Sequence, residues 1–179
     1  MKTPVLCTSR IILRPLTVSD AEEVFRNWTS DSEVARYMNW NLHQSVSDSM
    51  AWLKLEEEHL ISDKIYTWGL QFKQSGELFG SAGIKYNEDY QLFEIGYNIM
   101  KKYWNSGFTT EAGQAIVEFA HKQLGISALL GRHAIPNLAS GKVLQKLGFV
   151  FLGKGSCTSL DGKRTFDTLN YIWQVPKTA

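Results

Sequence analysis

Residues Glu94 to Ala112 read EIGYNIMKKYWNSGFTTEA, and the fold turns on how this stretch is divided. Its first part lies in a strand candidate, Gln91–Met100 (QLFEIGYNIM). There Phe93, Ile95, Tyr97 and Ile99 share one face, and Glu94, Gly96 and Asn98 the other. Its last part opens a helix, Phe108 to Leu124, with Ala112, Ile116, Phe119 and Ala120 at helical spacing and Gly125 as its stop. Two readings of the junction compete. One is plain helix capping, with Ser106 or Thr109 as cap and Glu111 in the first turn. The other is a seat for an anionic group, because a helix N-terminus offers free amide N–H groups and the positive end of the dipole. Gly107 would let a phosphate approach the backbone, Ser106, Thr109 and Thr110 would add hydroxyls, and Lys101 and Lys102 charge.

Upstream, Ile65–Phe72 (IYTWGLQF) and Leu78–Tyr86 (LFGSAGIKY) read as strands, and QSGE and NEDY supply the turns. Such short connections make the three strands an antiparallel meander. Before them, Arg10–Leu16 reads as a strand ending at a proline. Asp20 then caps a helix with Ala21, Val24, Phe25 and Trp28 on one face, Asp31–Met38 reads as a short helix, and Ser45–Ile61 as a longer one. Its run Glu56-Glu57-Glu58 reads as a solvated face. Downstream, Ala128–Ala134 reads as a strand, Asn137–Gly148 (NLASGKVLQKLG) as a helix and Phe149–Gly155 as a strand. After the turn LDGK, the tail Lys163–Val175 closes the sheet. A helix-rich first third, a meander, then alternating strands and helices define one α+β domain, with no linker or repeat to divide residues 1–179.

Composition sets outer bounds. With 179 residues, 44% apolar and 21% charged, the chain is long enough for one well-filled core and too apolar for disorder. A net charge of +1 argues against a general nucleic-acid partner. No apolar run approaches the ~20 residues of a membrane span, and the N-terminus lacks a secretory pattern. Cys7 and Cys157 stand far apart, and His43, His59, His121 and His133 show no ligand-like spacing, so no metal and no disulfide are expected. A reducing cytoplasmic setting fits.

EIGYNIMKKYWNSGFTTEA followed by NLASGKVLQKLGF resembles the GNAT superfamily of acetyl-CoA-dependent N-acetyltransferases, and most of all its RimJ/RimL-type branch. The opening RIILRPLTVSDAEEVF is similar to the start of that branch, so the resemblance runs from about Arg10 to Trp173. It implies a single GNAT-like domain: a mixed, mostly antiparallel twisted sheet with a splayed central strand pair and helices on both faces. The pantetheine arm of acetyl-CoA, the co-substrate, would enter the gap with its diphosphate over the helix N-terminus. Carried over by position, that seat is Lys102, Asn105, Ser106, Gly107, Phe108 and Thr109, with Tyr97, Asn98 and Ile99 along the splayed strand and Asn137 on the pantetheine. The family's loop usually begins with Gln or Arg and has two glycines; here Lys102 and Asn105 take the first two places. Asparagine tolerates positive φ, which keeps the loop feasible.

For chemistry, the resemblance implies direct attack by an amine on bound acetyl-CoA, with a backbone amide near Tyr97–Ile99 as oxyanion donor. The tyrosine that many members use as general acid corresponds to Leu144, so Ser140, on the same helical face as Asn137, is the candidate in its place. Glu94 is the candidate base, directly or through water. Acceptor selection falls to residues 28–61 and the final hairpin, with Tyr37, Trp40, His43 and Trp52 as candidate lining. The acceptor implied is a peptide or protein α-amine. A small amine (amino acid, polyamine or aminoglycoside) and a non-catalytic acyl-CoA-binding module are the alternatives, and a homodimer is compatible with either.

Overall fold

In chain order the strands are β1 (Leu6–Cys7), β2 (Ile11–Arg14), β3 (Ile65–Phe72), β4 (Leu78–Asn87), β5 (Leu92–Ile99), β6 (Ala128–Ala134), β7 (Val150–Thr158) and β8 (Thr165–Gln174). The helices are α1 (Ala21–Val24), α2 (Ser32–Ala35), α3 (Val46–His59), α4 (Phe108–Lys122) and α5 (Leu138–Lys146). This architecture comes from a computed structural model that describes residues 2–175; Met1 and residues 176–179 of the expected domain lie outside the described residues. All eight strands join one sheet in the order β1-β2-β3-β4-β5-β6-β8-β7. Every neighbouring pair is antiparallel except β5 and β6.

That parallel pair is the feature that matters. β5 meets β6 only at Phe93↔Leu129, Glu94↔Leu130 and Ile95↔Gly131. Beyond Ile95, β5 stays paired with β4 out to Ile99, and β6 stays paired with β8 out to Ala134. The two strands therefore part in the middle of the sheet, and a ladder that stops leaves backbone groups without strand partners.

Helices cover both faces. Ala112, Ile116, Phe119 and Ala120 of α4 and Leu144 and Leu147 of α5 pack on Ile11, Leu13, Tyr66, Trp68, Ile95 and Ile99 of the sheet. On the other face Ala21, Val24, Trp28, Val34 and Leu53 enclose Leu16 and Leu78. Adjacent Leu78 and Phe79 on β4 enter opposite cores, as strand alternation requires.

Three local expectations are revised. The first helix is a composite: a 3-10 turn at Val18–Asp20, then α1, then a π-helical turn at Phe25–Thr29. Asn27, whose Nδ2 donates to Leu78 O (2.5 Å), and Thr29, whose hydroxyl donates to Val24 O (3.4 Å), hold the widened turn. Asp20 follows the cap rather than being it, accepting the Thr17 amide (2.8 Å) and pairing with Arg14. The tail strand β8 does not close an edge; it inserts between β6 and β7, leaving β7 outermost.

Candidate active site

Helix α4 begins at Gly107, whose φ of 82° and ψ of −3° are left-handed, and no side chain caps the helix. Neither Ser106 nor Thr109 does so; the Ser106 hydroxyl instead reaches Trp104 O (3.5 Å). The first amides of α4 are thus left without side-chain acceptors. Asn105 is also left-handed, with φ of 62°, so two positive-φ residues flank Ser106 and curl the backbone into a concave turn. Among the described residues, the only other non-glycine position with positive φ is Gln91.

The loop is held from behind. Phe108 packs among Phe72, Phe79 and Tyr103, with ring centroids 4.9, 5.6 and 6.1 Å away. Arg10 lies 4.1 Å over the Phe108 ring and its Nη1 reaches Ser106 O (3.5 Å). Glu111 ties this corner together: it accepts from the Thr8 hydroxyl (2.5 Å), the Ser9 hydroxyl (3.1 Å), the Arg10 amide (2.9 Å) and Arg10 Nε (2.6 Å). Burial alone would raise its carboxyl, but these donors overcome that and hold it at about 2. The lysines do not face the loop. Lys101 pairs with Glu33, and Lys102 Nζ with Glu77 (2.7 Å), which also accepts from Tyr103 Oη (2.5 Å). Sequence spacing could not reveal those distant partners.

The parted strands face this loop with ordered groups. Met100 donates its amide to Phe79 O on β4 (2.7 Å), while Ile99 O accepts instead from Trp104 Nε1 (3.0 Å). Because strand residues alternate sides, the amides of Tyr97 and Ile99 point away from β4, into the gap, and that of Asn98 points toward β4. The Asn98 side chain donates to Ser81 Oγ (2.9 Å), and its buried Oδ1 has no hydrogen-bond partner among the described residues. Tyr97 spans from β5 to α5: its hydroxyl donates to Ser140 O (3.0 Å) and accepts from Ser140 Oγ (3.1 Å). Burial pushes the phenol well above its usual range, partly offset by the Ser140 bond. Asn137 caps α5, its Oδ1 accepting the Ser140 amide (3.4 Å). Leu144 is buried and packs beside Gly131, and its side chain has no proton to donate.

Glu94 lies on the opposite face of β5, where Arg132 Nε (2.9 Å) and Nη2 (2.8 Å) and Asn87 Nδ2 (2.7 Å) occupy both its oxygens. Three donors thus fix the orientation of the Glu94 carboxylate.

A cleft of about 610 Å³ joins the two sides. Tyr97, Asn98, Asn137 and Ser140 border it at the gap, and Tyr37, Trp40, His43 and Trp52 line the far wall as expected. Glu56 was read as a solvated residue, but it also lines the cleft. Its Oε1 accepts Trp52 Nε1 (3.0 Å) while its Oε2 is buried without a partner. Among the described residues no group of three or more His, Cys, Asp or Glu is placed to hold a metal, and no helix is long and apolar enough to cross a membrane.

Residues 10–150 match the model of the acetyltransferase (GNAT) domain. The chain belongs to the GNAT family of acetyltransferases. The uncharacterized N-acetyltransferase YoaA of Bacillus subtilis (strain 168) is 30% identical over 147 residues, 82% of each chain. The ribosomal-protein-S5-alanine acetyltransferase of Vibrio fischeri shares the fold at a TM-score of 0.81 and 14% identity, over 97% of this chain and 98% of that one. So does the microcin C7 self-immunity acetyltransferase MccE, solved with acetyl-CoA and AMP, at a TM-score of 0.78 and 17% identity over 94% of each chain. This GNAT protein is therefore an N-acetyltransferase of a family whose acyl donor is acetyl-CoA.

Proposed function

We propose that this acetyltransferase moves the acetyl group of acetyl-CoA onto the α-amine of a peptide or protein N-terminus, by direct attack in a ternary complex. The observation that carries it is the single cleft running from the parted strands to the aromatic wall, which lets a thioester on one side meet an amine on the other. The amides at Asn105–Thr109 would grip the diphosphate, and the gap-facing amides of Tyr97 and Ile99 would bind the arm and the developing oxyanion. The phenol of Tyr97 and the hydroxyl of Ser140, bonded to each other, would supply hydrogen bonds to the departing thiolate. Glu94, tied to Arg132 and Asn87, would hold fixed negative charge on the acceptor side, touching the amine through water.

The pinning of Glu94 favours an α-amine over a lysine. An α-amine, with a pKa of ~7.7–8.0, is partly neutral unaided, whereas a lysine amine at ~10.4 needs a strong base. The fold shared with an S5-alanine acetyltransferase supports the same class. A small diamine or polyamine is the second reading, favoured by the unpartnered Glu56 Oε2 and His59 Nδ1 beside the indoles, which suit a second cationic nitrogen. The edge strand β7 exposes Val150, Phe151 and Leu152, which supports pairing with a second copy; a monomer in sedimentation at micromolar concentration would exclude it. CoA release measured with peptides bearing free or blocked N-termini, against free diamines, tests the acceptor class. Faster turnover of diamines than of any free N-terminal peptide would reverse the assignment.

A further inference from the structure

The acetyl-transfer reading leaves one task without a residue: something must accept the proton that the amine sheds. Glu94 is engaged on both oxygens. His43 lines the same cleft between Trp40 and Trp52, with ring centroids 5.9 and 6.3 Å away. Its backbone amide donates to Thr29 O (3.0 Å), anchoring it to the π-helical turn. That turn and the preceding α1 are bolted to β4 at Leu78, through Asn27 Nδ2 and through Glu23, which accepts the Leu78 amide (2.9 Å). Three residues further along β4, Ser81 pairs with Asn98 on the parted strand. His43 is thus tied through these segments and β4 to the strand that carries Asn98, and both residues line the cleft.

Its tautomer follows from a chain of hydroxyls. The Thr29 hydroxyl donates to Val24 O (3.4 Å), a carbonyl that can only accept. With Thr29 donating to Val24 O, Ser49 Oγ donates to Thr29 (2.9 Å) and accepts from His43 Nδ1 (2.8 Å), an assignment of hydrogens that satisfies all three groups. In that assignment Nδ1 carries the proton and Nε2 presents its lone pair, with no hydrogen-bond partner among the described residues. Ser49 and Thr29 are both buried polar residues, so the relay is a fixed part of the core. Burial pushes His43 below the ordinary imidazole range, with Asp48 opposing in part, so the ring is neutral at pH 7. The charged and titratable neighbours are Asp48, Glu56, His59 and Arg164, of which Glu56 Oε2 and His59 Nδ1 make no hydrogen bond among the described residues. Asp48 accepts the amides of Gln44 (2.8 Å) and Ser45 (3.0 Å), Glu56 accepts Trp52, and Arg164 donates to the carbonyls of Ala35 (3.4 Å), Met38 (3.3 Å) and Trp40 (2.8 Å).

Resting on the acetyl-transfer reading above, we propose that His43 Nε2 is the general base of this enzyme, oriented by the Ser49–Thr29 relay. The amine nitrogen attacks the thioester carbon, the C–N bond forms and the C–S bond breaks. The proton leaving nitrogen passes to His43 Nε2, directly or through one water, and from there to solvent through the cleft. The thiolate takes a proton from the Tyr97–Ser140 hydroxyls, which refill from water. Imidazole is too weak to strip a lysine ammonium but strong enough for the acidic ammonium of the addition intermediate.

The test compares unaltered enzyme, His43→Gln and Ser49→Ala, with acetyl-CoA and N-terminal peptides as substrates. His43→Gln should lower kcat/KM by roughly 10²–10⁴-fold and reduce the acid limb of its pH profile from two ionisations, those of His43 and of the α-amine, to that of the α-amine alone, with acetyl-CoA affinity kept within about twofold. Ser49→Ala should retain a limb at a changed pH, which a purely structural role would not produce. His43→Gln at near-normal kcat/KM, or slowed with the acid limb unchanged, would overturn the assignment alone. Failure of the unaltered enzyme to acetylate any amine would overturn the functional reading and this inference with it.

Discussion

Replacing Gly107 with alanine isolates the loop on which donor binding depends. A Cβ at Gly107 would meet nothing closer than Arg10 Nη2 at 3.7 Å, an ordinary van der Waals distance, so no clash enters the estimate. The cost is conformational: an L-residue in the left-handed region loses about 1–2 kcal/mol. For a domain of this size that lowers Tm by roughly 2–8 °C. The chain can relieve the strain only by rotating φ, which turns the amides that follow away from one another and from the diphosphate. A tenfold loss of acetyl-CoA affinity follows if this rotation removes about 1.4 kcal/mol of binding. Thermal denaturation with and without acetyl-CoA reads both effects. At a ligand concentration about 100-fold above the native Kd, the unaltered protein should gain ~2.7 kcal/mol, and the variant at the same concentration ~1.4 kcal/mol. Gly107→Val should behave like alanine but worse, because the β-branch also crowds the approach. A variant destabilised as calculated yet stabilised by acetyl-CoA as fully as the native protein would refute the assignment of the diphosphate to this loop.

Glu111→Gln should cost about 1–3 kcal/mol by releasing the β1–β2 turn from α4, less for the Arg10 share, since Arg10 is half-exposed. Because the folded carboxyl is depressed to about 2, its contribution is complete above the unfolded value near ~4.3 and lost as pH falls toward 2. The gap between native and variant in urea denaturation should therefore shrink with acid; a constant gap from pH 6 to pH 3 contradicts it. Ser140→Ala should lower turnover more than acetyl-CoA affinity, and Asn137→Ala, which also removes a helix cap worth about 1 kcal/mol, the reverse. Steady-state kinetics with calorimetric binding separates the two, and equal effects from both would undo the roles given to them. Glu94→Gln should destabilise by about 3–5 kcal/mol, because it leaves the Arg132 guanidinium, 13% exposed, without its countercharge. Denaturation within 1 kcal/mol of native would mean that the pair is not formed in solution.

The sheet was largely legible from residue order. Ile65–Phe72 and Ala128–Ala134 fall where alternation and turn residues place them, and α4 starts at Phe108 as read. Periodicity works there because each element buries one face. It fails from Val18 to Thr29, where a π-helical turn is imposed by side-chain bonds to β4 that lie 51 and 55 residues away in sequence. The same distance hid the electrostatics. Nothing near Lys101 and Lys102 in sequence shows that Glu33 and Glu77 pair with them in space, nor near Glu94 that Arg132 does. The choice between capping and seat could not be made from the hydroxyls near Gly107, because capping depends on rotamer and backbone angle. The left-handed pair Asn105 and Gly107 favours the seat proposed above, and both residue types tolerate positive φ. The relay behind His43 had no signal, being built from Ser49 and Thr29 on separate helical segments.

The most direct measurement is a crystal structure of the protein with coenzyme A bound. The diphosphate should rest on the main-chain amides between Asn105 and Thr109, with the pantetheine arm passing between β5 and β6 toward Tyr97 and Ser140. Coenzyme bound to another face of the molecule, with that loop and the gap untouched at saturation, would contradict the account.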